Sequence, residues 1–277
     1  MNSSKPYIFN RTFNSSVRLN YNHWLVKEAC GYLLHPYIQE SIKKDDVRIA
    51  DVGTGTGIWL LELSETLPTA TLDGYDISAA QYPPSSFLPP NVSLHTHDAF
   101  TSFPIEKLGS YDIVHLRFSL CFVNDEDAEG LLRNLVALLK PGGYLQWFEP
   151  DALATEVNYS DPNSERENPS VAMKELRDKW RKPREGSSYN WLTNLPSLYA
   201  KNGLEFIDRQ SISQQNRHKQ LWAHSNLLGF EDLIHNSQIA GTETEDKMRR
   251  FMDLLNQETA RGISCDTPWV CVVGRKI

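Results

Sequence analysis

The chain has 277 residues, 40% of them hydrophobic and 23% charged, with a formal net charge of −7 at pH 7; that suits one large domain, or one domain with a cap, burying a substantial core. The acidic balance and the lack of a Lys/Arg stripe argue against nucleic acid as the partner, because phosphate-backbone binding depends on clustered cations. No stretch approaches the roughly 20 apolar residues of a membrane span, the N-terminus has no apolar signal-peptide run, and Cys30, Cys121, Cys265 and Cys271 show neither a C-x-x-C pair nor a zinc-spaced histidine.

The first dozen residues are polar and without pattern. From 18 to 39 the residues Leu19, Trp24, Leu25, Ala29, Leu33 and Tyr37 recur near helical spacing, and Gly31 and Pro36 divide the stretch into two shorter helices. Strands and helices then alternate. Residues 47–52 read as a strand, 58–67 as a helix stopped by Pro68, 71–76 as a second strand and 92–98 as a third. Pro83, Pro84, Pro89 and Pro90 make the second crossover irregular. Residues 112–118 form a fourth strand, and 125–140 an amphipathic helix with acidic residues in its first turn and Lys140 at its end, as the helix dipole favours. Pro141-Gly142-Gly143 ends that helix, and 144–148 begins a fifth strand.

After Asp151 the rhythm breaks. Residues 152–190 are polar, with one helix at 171–181, and read as a cap insertion. A helix at 191–202, a strand at 204–213, helices at 221–236 and 243–261 and a last strand at 269–276 complete the chain. The division expected is a helical lid (1–45), a Rossmann-like core (46–151), the cap (152–190) and the C-terminal part of the same domain (191–277). Strands alternating with helices imply an α/β fold with a parallel, doubly wound sheet.

The most informative segment is Ile49-Ala50-Asp51-Val52-Gly53-Thr54-Gly55-Thr56-Gly57-Ile58, a strand that runs through alternate glycines into a helix. Glycine allows the tight turn and close backbone approach a nucleoside needs, and N–H groups at a helix start can hold a carboxylate. A dinucleotide fingerprint wants a third glycine five residues after Gly53, where Ile58 stands, and a phosphate loop wants Gly-Lys-Ser/Thr, where Gly57-Ile58-Trp59 stands. The spacing suits a nucleoside attached to an amino acid. Asp76 ends the second strand 23 residues after Gly53 and can accept from ribose hydroxyls. Asp98 ends the third and can accept from an adenine amino group. Both positions lie at carboxyl ends of successive strands.

The series Gly53–Gly57, Asp76, Asp98 and Leu139-Lys140-Pro141-Gly142-Gly143 resembles that of class I S-adenosylmethionine-dependent methyltransferases. Arg18-Leu19-Asn20-Tyr21-Asn22-His23-Trp24, the glycine segment and Gly143-Tyr144-Leu145-Gln146-Trp147 are similar to fungal secondary-metabolite methyltransferases. The resemblance implies a seven-stranded sheet of order 3-2-1-4-5-7-6 with the last strand antiparallel, S-adenosyl-L-methionine as cofactor and a small-molecule acceptor methylated on oxygen, nitrogen or sulfur. The cofactor-binding candidates are Asp51, Gly53, Thr54, Gly55, Gly57, Asp76, Ile77, Asp98, Ala99, Arg117 and Tyr21. His115 is a candidate base or a structural, cofactor-lining imidazole, and Arg117 a partner for the methionine carboxylate or for an acidic acceptor. His23 is a candidate contact from a helix expected to close over the cofactor. Glu149 and Asp151 are candidates to polarise an acceptor, and Trp147, Trp191, Trp222 and Phe230 to line an apolar pocket, with core packing the competing reading for each. The expectation is a cytoplasmic monomer or homodimer with no metal, no nucleic-acid partner and no membrane. The competing function is a protein of the same fold that performs no methyl transfer, as a regulatory binder or a rearrangement catalyst.

Overall fold

The structure, a computed structural model, describes residues 11–42, 46–161, 163–167, 169–182, 188–236 and 241–277. In chain order its elements are α1 (Phe13–Cys30), α2 (Pro36–Ser41), β1 (Arg48–Val52), α3 (Ile58–Thr66), β2 (Thr71–Asp76), β3 (Val92–Thr96), β4 (Tyr111–Arg117), α4 (Asp125–Leu138), β5 (Leu139–Pro150), β6 (Glu156–Tyr159), α5 (Ser164–Glu167), α6 (Ala172–Arg181), α7 (Asn190–Lys201), β7 (Leu204–Ile212), α8 (Lys219–Asn236), α9 (Glu243–Ala260), β8 (Ile263–Asp266) and β9 (Trp269–Lys276). They fall into two compact units. A sheet unit comprises Cys30–Pro150, Ser187–Ile212 and Trp269–Ile277, and a helical unit Met1–Ala29, Asp151–Gly186 and Ser213–Pro268. Of the stretch 152–190 read from sequence as a cap insertion, residues 152–182 fall in one unit with α8, α9 and all but the last residue of α1, and residues 188–190 in the sheet unit.

The sheet unit holds seven strands in the order β3-β2-β1-β4-β5-β9-β7, with β9 antiparallel to both neighbours. This is the order the family resemblance implies, once the two strands of the helical unit are set aside. Its central strands are buried on both faces, which is why they read as near-continuous apolar runs. Ile49, Ala50, Val52, Ile113, Val114, Leu116, Leu145 and Val270–Val273 are all essentially inaccessible. Helix α3 packs with Trp59, Leu60 and Leu63, and α4 with Leu131, Leu132 and Leu135. The three- and four-residue spacings of those positions place them on one helix face.

Pro36 starts α2 at its first turn, and the His35 imidazole accepts the N–H of Tyr37 as its cap. Of the expected boundaries that move, two fall at motif residues. The strand read over 92–98 stops at Thr96, and Asp98 instead caps the following turn by accepting the Phe100 N–H. The helix read to Lys140 ends at Leu138, because Leu139 already pairs with Tyr111 as the first residue of β5. Pro141-Gly142-Gly143 therefore lies within the strand, at a register shift between Tyr111 and Ile113. A side chain at Gly143 would press on the carbonyls of Tyr111, Asp112 and Lys140 at 3.0 Å each, so the irregularity needs a glycine there.

The helical unit contains a second sheet, β6 paired antiparallel with β8, that the sequence reading did not include. Ala172, Met173, Leu176, Leu255, Ile263 and Cys265 form its core. A polar seam joins α1 to α8. Ser15, Arg18 and Asn22 lie three and four residues apart on one face of α1. The Ser15 hydroxyl and the Arg18 guanidinium donate to the two oxygens of Asp232 at 3.0 and 2.8 Å, and Ser225 meets Asn22 one helical stretch away.

Glu258 of α9 organises the start of α6. Its carboxylate accepts the Ser170 hydroxyl and the N–H groups of Val171, Ala172 and Met173, three of the amides that a helix start leaves unpaired. Burial raises the cost of the charge, but those donors outweigh it and hold Glu258 below the usual carboxylate range. A depressed folded pKa gives stability that is complete above the unfolded value and lost as pH falls through the folded one. Glu258→Ala is expected to cost about 3 kcal/mol at neutral pH by orphaning buried donors. It should also flatten the acid side of the stability curve. Hydrogen exchange over Ala172–Arg181 measures both, and unchanged protection would refute the role.

No helix among the described residues is long and apolar enough to cross a membrane, and no cluster of His, Cys, Asp or Glu among them is placed to hold a metal ion. The four cysteines form no disulfide.

Candidate active site

Strands β1 to β5 are mutually parallel, so their carboxyl ends share one edge. Register fixes the alignment: Val52 lies opposite Tyr75 and Leu116, Asp76 opposite Thr96, and Arg117 opposite Phe148. Between β1 and β4 the order of strands reverses direction, the switch point where open α/β sheets bind ligands. Asp51, Gly53–Gly57, Asp76, Ile77, Asp98, Ala99 and Arg117 all fall at this edge.

Gly53, Gly55 and Gly57 all adopt the left-handed backbone conformation, with φ of 70°, 58° and 77°. Only glycine does so repeatedly without strain. Gly57 also caps α3. The N–H groups of Gly53 and Thr54 both bond the Tyr75 carbonyl, and Gly57 N–H bonds the Thr54 carbonyl. Gly55 N–H goes to Asp76 Oδ2 at 2.9 Å, while Ser78 N–H goes to Oδ1 at 3.1 Å. These four loop amides are thus engaged by the chain itself. The loop offers a bound molecule close approach without side chains, and the acceptor group beside it is Asp76. Ile77 is 52% exposed next to it, and Ala99 is half-buried beside Asp98.

Beneath the loop runs a buried polar row. Asp51 and His115 are register partners on adjacent strands, with His115 Nδ1 2.8 Å from Asp51 Oδ1. The other Asp51 oxygen accepts the Thr54 hydroxyl at 2.7 Å. The Trp59 indole stacks on His115 at 3.9 Å and 9°. Burial pushes the His115 pKa below its ordinary value, against the opposing pull of Asp51, so the ring is neutral and Nδ1 is the donor. His115 and Asp51 together brace the glycine loop from below. Gln146, the register partner of His115 on β5, receives the His35 N–H and donates to the Leu33 carbonyl, and Trp59 Nε1 also reaches that carbonyl. The row therefore also ties residues 33–35 to the sheet.

Arg117 is half-buried and lies over the Phe118 ring at 5.3 Å. Burial lowers its pKa, and the carboxylates of Asp51, Glu149 and Glu62 oppose that; a guanidinium stays charged regardless. Glu149 is fully buried, and its oxygens accept the N–H groups of Ser119 and Leu120, the Ser119 hydroxyl and the Trp147 indole N–H. Trp147 and Trp191 are buried against each other, ring centres 5.2 Å apart. Their geometry is that of core side chains.

Tyr21, His23 and Trp222 belong to the helical unit. There Tyr21 stacks on Trp24 at 6.2 Å and burial raises its pKa, while His23 and Trp222 are buried. Asp151 also falls in that unit, its N–H bonded to the Pro268 carbonyl, and Phe230 packs edge-on against Phe251. Phe118 was not among the sequence candidates. It takes a left-handed conformation immediately past β4, and nothing in a phenylalanine signals that.

A methyltransferase-domain family model matches residues 21–221. The N-methyltransferase tcpN of Claviceps purpurea (strain 20.1) is 39% identical over 143 residues, half of each chain. The methyltransferase grgD of Penicillium sp is 37% identical over 164 residues, 54% of this chain and 56% of the relative. The chain thus spans about half the length of the curated relatives it matches. The [4+2]-cyclase SpnF shares the fold with a TM-score of 0.51 at 16% identity, over 95% of each chain.

Proposed function

The chain belongs to the methyltransferase-domain family, and from that premise we propose that it moves the methyl group of S-adenosylmethionine onto a nitrogen or oxygen of a small organic acceptor of the secondary-metabolite kind. Relatives named N-methyltransferases favour nitrogen. The observation that carries the reading is the pairing of three left-handed glycines with Asp76 at the sheet's switch point. A side chain at Gly57 would meet Leu94 at 3.3 Å and one at Gly53 would meet Leu116 at 3.6 Å, each in a left-handed conformation that L side chains rarely adopt, so the loop keeps its close approach only as glycine. The Asp76 carboxylate beside it is the kind of acceptor a ribose diol needs.

Bound there, the cofactor supplies an electrophilic methyl on a sulfonium. Asp76 holds the ribose hydroxyls and Asp98 the adenine amino group, while Gly53, Gly55 and Gly57 let the backbone close on the nucleoside and Thr54, Ile77 and Ala99 line it. Arg117 meets the methionine carboxylate or an acidic acceptor. The remaining work is alignment of the acceptor lone pair and exclusion of water, which contributes up to roughly 7–11 kcal/mol in ideal cases. A base is required only where the acceptor must lose a proton; on this reading His115, neutral and pinned to Asp51, braces the loop.

Calorimetry with S-adenosylhomocysteine and with NAD tests the cofactor, the expected result being association with the first alone. Incubation with S-adenosylmethionine and fungal metabolites, followed by mass spectrometry, tests the transfer: a gain of one methylene is expected. The fold also carries a cyclase, so fold alone does not decide. Cofactor binding with no methylated product from any nitrogen or oxygen acceptor would favour the non-transferring alternative.

A further inference from the structure

Phe118 has φ 63° and ψ 33°, a left-handed conformation that a bulky L-residue avoids unless its surroundings impose it. Its ring meets Trp269 edge-on at 4.9 Å. The left-handed step turns the next two N–H groups toward one point, forming a concave anion cradle. The carboxylate that fills the cradle comes from β5, 30 residues further on. Glu149 Oε1 accepts the Ser119 N–H at 2.7 Å, together with the Ser119 hydroxyl and the Trp147 indole, and Oε2 accepts the Leu120 N–H at 3.0 Å.

We infer that Glu149 is a positioning residue which, as a carboxylate, holds the Phe118–Leu120 turn in its strained form and so sets the wall of the site at the carboxyl end of β4. The inference rests on the methyl-transfer reading for what that wall faces, but not for the turn itself. Each of these partners is a donor. A neutral acid would set its proton against one of them unless the Ser119 hydroxyl turned round to accept it. Burial pushes Glu149 up to about 7 against the opposing pull of Ser119, Trp147 and Leu120, so ionised and neutral forms exchange near neutrality. Arg117 of β4 is near enough to feel its charge; Ser119 and Leu120 in the turn and Val270, its register partner on β9, bring no titratable group. Above neutrality the cradle is filled by charge and the turn is fixed. Below it the hold weakens.

In the full chain the amide proton resonances of Ser119 and Leu120 should titrate together across neutrality, moving downfield as Glu149 ionises. Glu149→Gln should abolish that titration, and a crystal structure of the variant should show Phe118 relaxed to negative φ. Glycine bears positive φ without strain, so Phe118→Gly guards against a variant that folds poorly: adding Glu149→Gln to it should lower the melting temperature less than Glu149→Gln does in the wild type. Amides indifferent to pH, a left-handed Phe118 retained in Glu149→Gln, or equal losses in the two backgrounds would overturn the inference. Wild-type protein that fails to bind S-adenosylhomocysteine would defeat the proposed function alone and leave the titration to decide this one.

Discussion

Asp76→Ala should weaken association with S-adenosylhomocysteine by about 100-fold, or roughly 2.7 kcal/mol, the range expected when hydrogen bonds to a charged group are lost. Two effects add. The ribose loses its acceptor, and the N–H groups of Gly55 and Ser78, now bonded to the two carboxylate oxygens, lose the group that fixes the loop beside it. Asp76→Asn keeps one acceptor oxygen but presents an NH₂ to one of those amides, so its affinity should fall between wild type and alanine. Isothermal calorimetry reads the constants, and the thermal melt of the unliganded protein supplies the control. An alanine variant that binds as tightly as wild type would remove Asp76 from the site.

The second large effect lies in the helical unit. The Arg18 and Asp232 side chains are only 8% and 6% exposed and 2.8 Å apart. Removing either side chain takes an ion-pair partner from a buried charge, at an expected cost of about 3–5 kcal/mol. Asp232→Ala should approach that figure, because it also removes the acceptor of the Ser15 hydroxyl, which is left with Thr12 at 3.1 Å. A paired Arg18→Met, Asp232→Leu variant should cost much less than the sum of its single changes, since an apolar pair of similar volume avoids desolvating two ions. Chemical unfolding of the four proteins completes the cycle. Additive losses would mean the two side chains are not coupled, and the seam between α1 and α8 would need another explanation.

The legible part of the fold was local. The positive φ of Gly53, Gly55 and Gly57, the start of α2 at Pro36 and the acidic first turn of α4 follow from what a few neighbouring residues can and cannot do. The sheet strands were legible through their unbroken apolar runs, and their order through the family resemblance. The candidate site was legible as a set of strand-end residues. What each does there was not. Glu149, a carboxylate near the edge, is consumed by a turn on the neighbouring strand; His115 is pinned between Asp51 and Trp59; Trp147 and Trp191 pack on each other. On α1 and α8 the buried faces carry Ser15, Arg18, Asn22, Ser225 and Asp232, so an apolar stripe is a poor guide to which face packs. Asp73 likewise disappears beneath the sheet to bond Tyr111, His95 and Lys107.

By itself, then, the sequence determined the βα rhythm, the glycine loop and the strand end that carries Asp76, because backbone preference and periodicity are properties of short segments. Only the tertiary structure decided which buried charges brace the loop, which hold a turn, and that β6 finds its partner in β8 more than a hundred residues away, Asn158 opposite Ser264. The physical reason is that a buried polar group is stable only beside a partner, and the partner's approach is set by how the whole chain returns on itself.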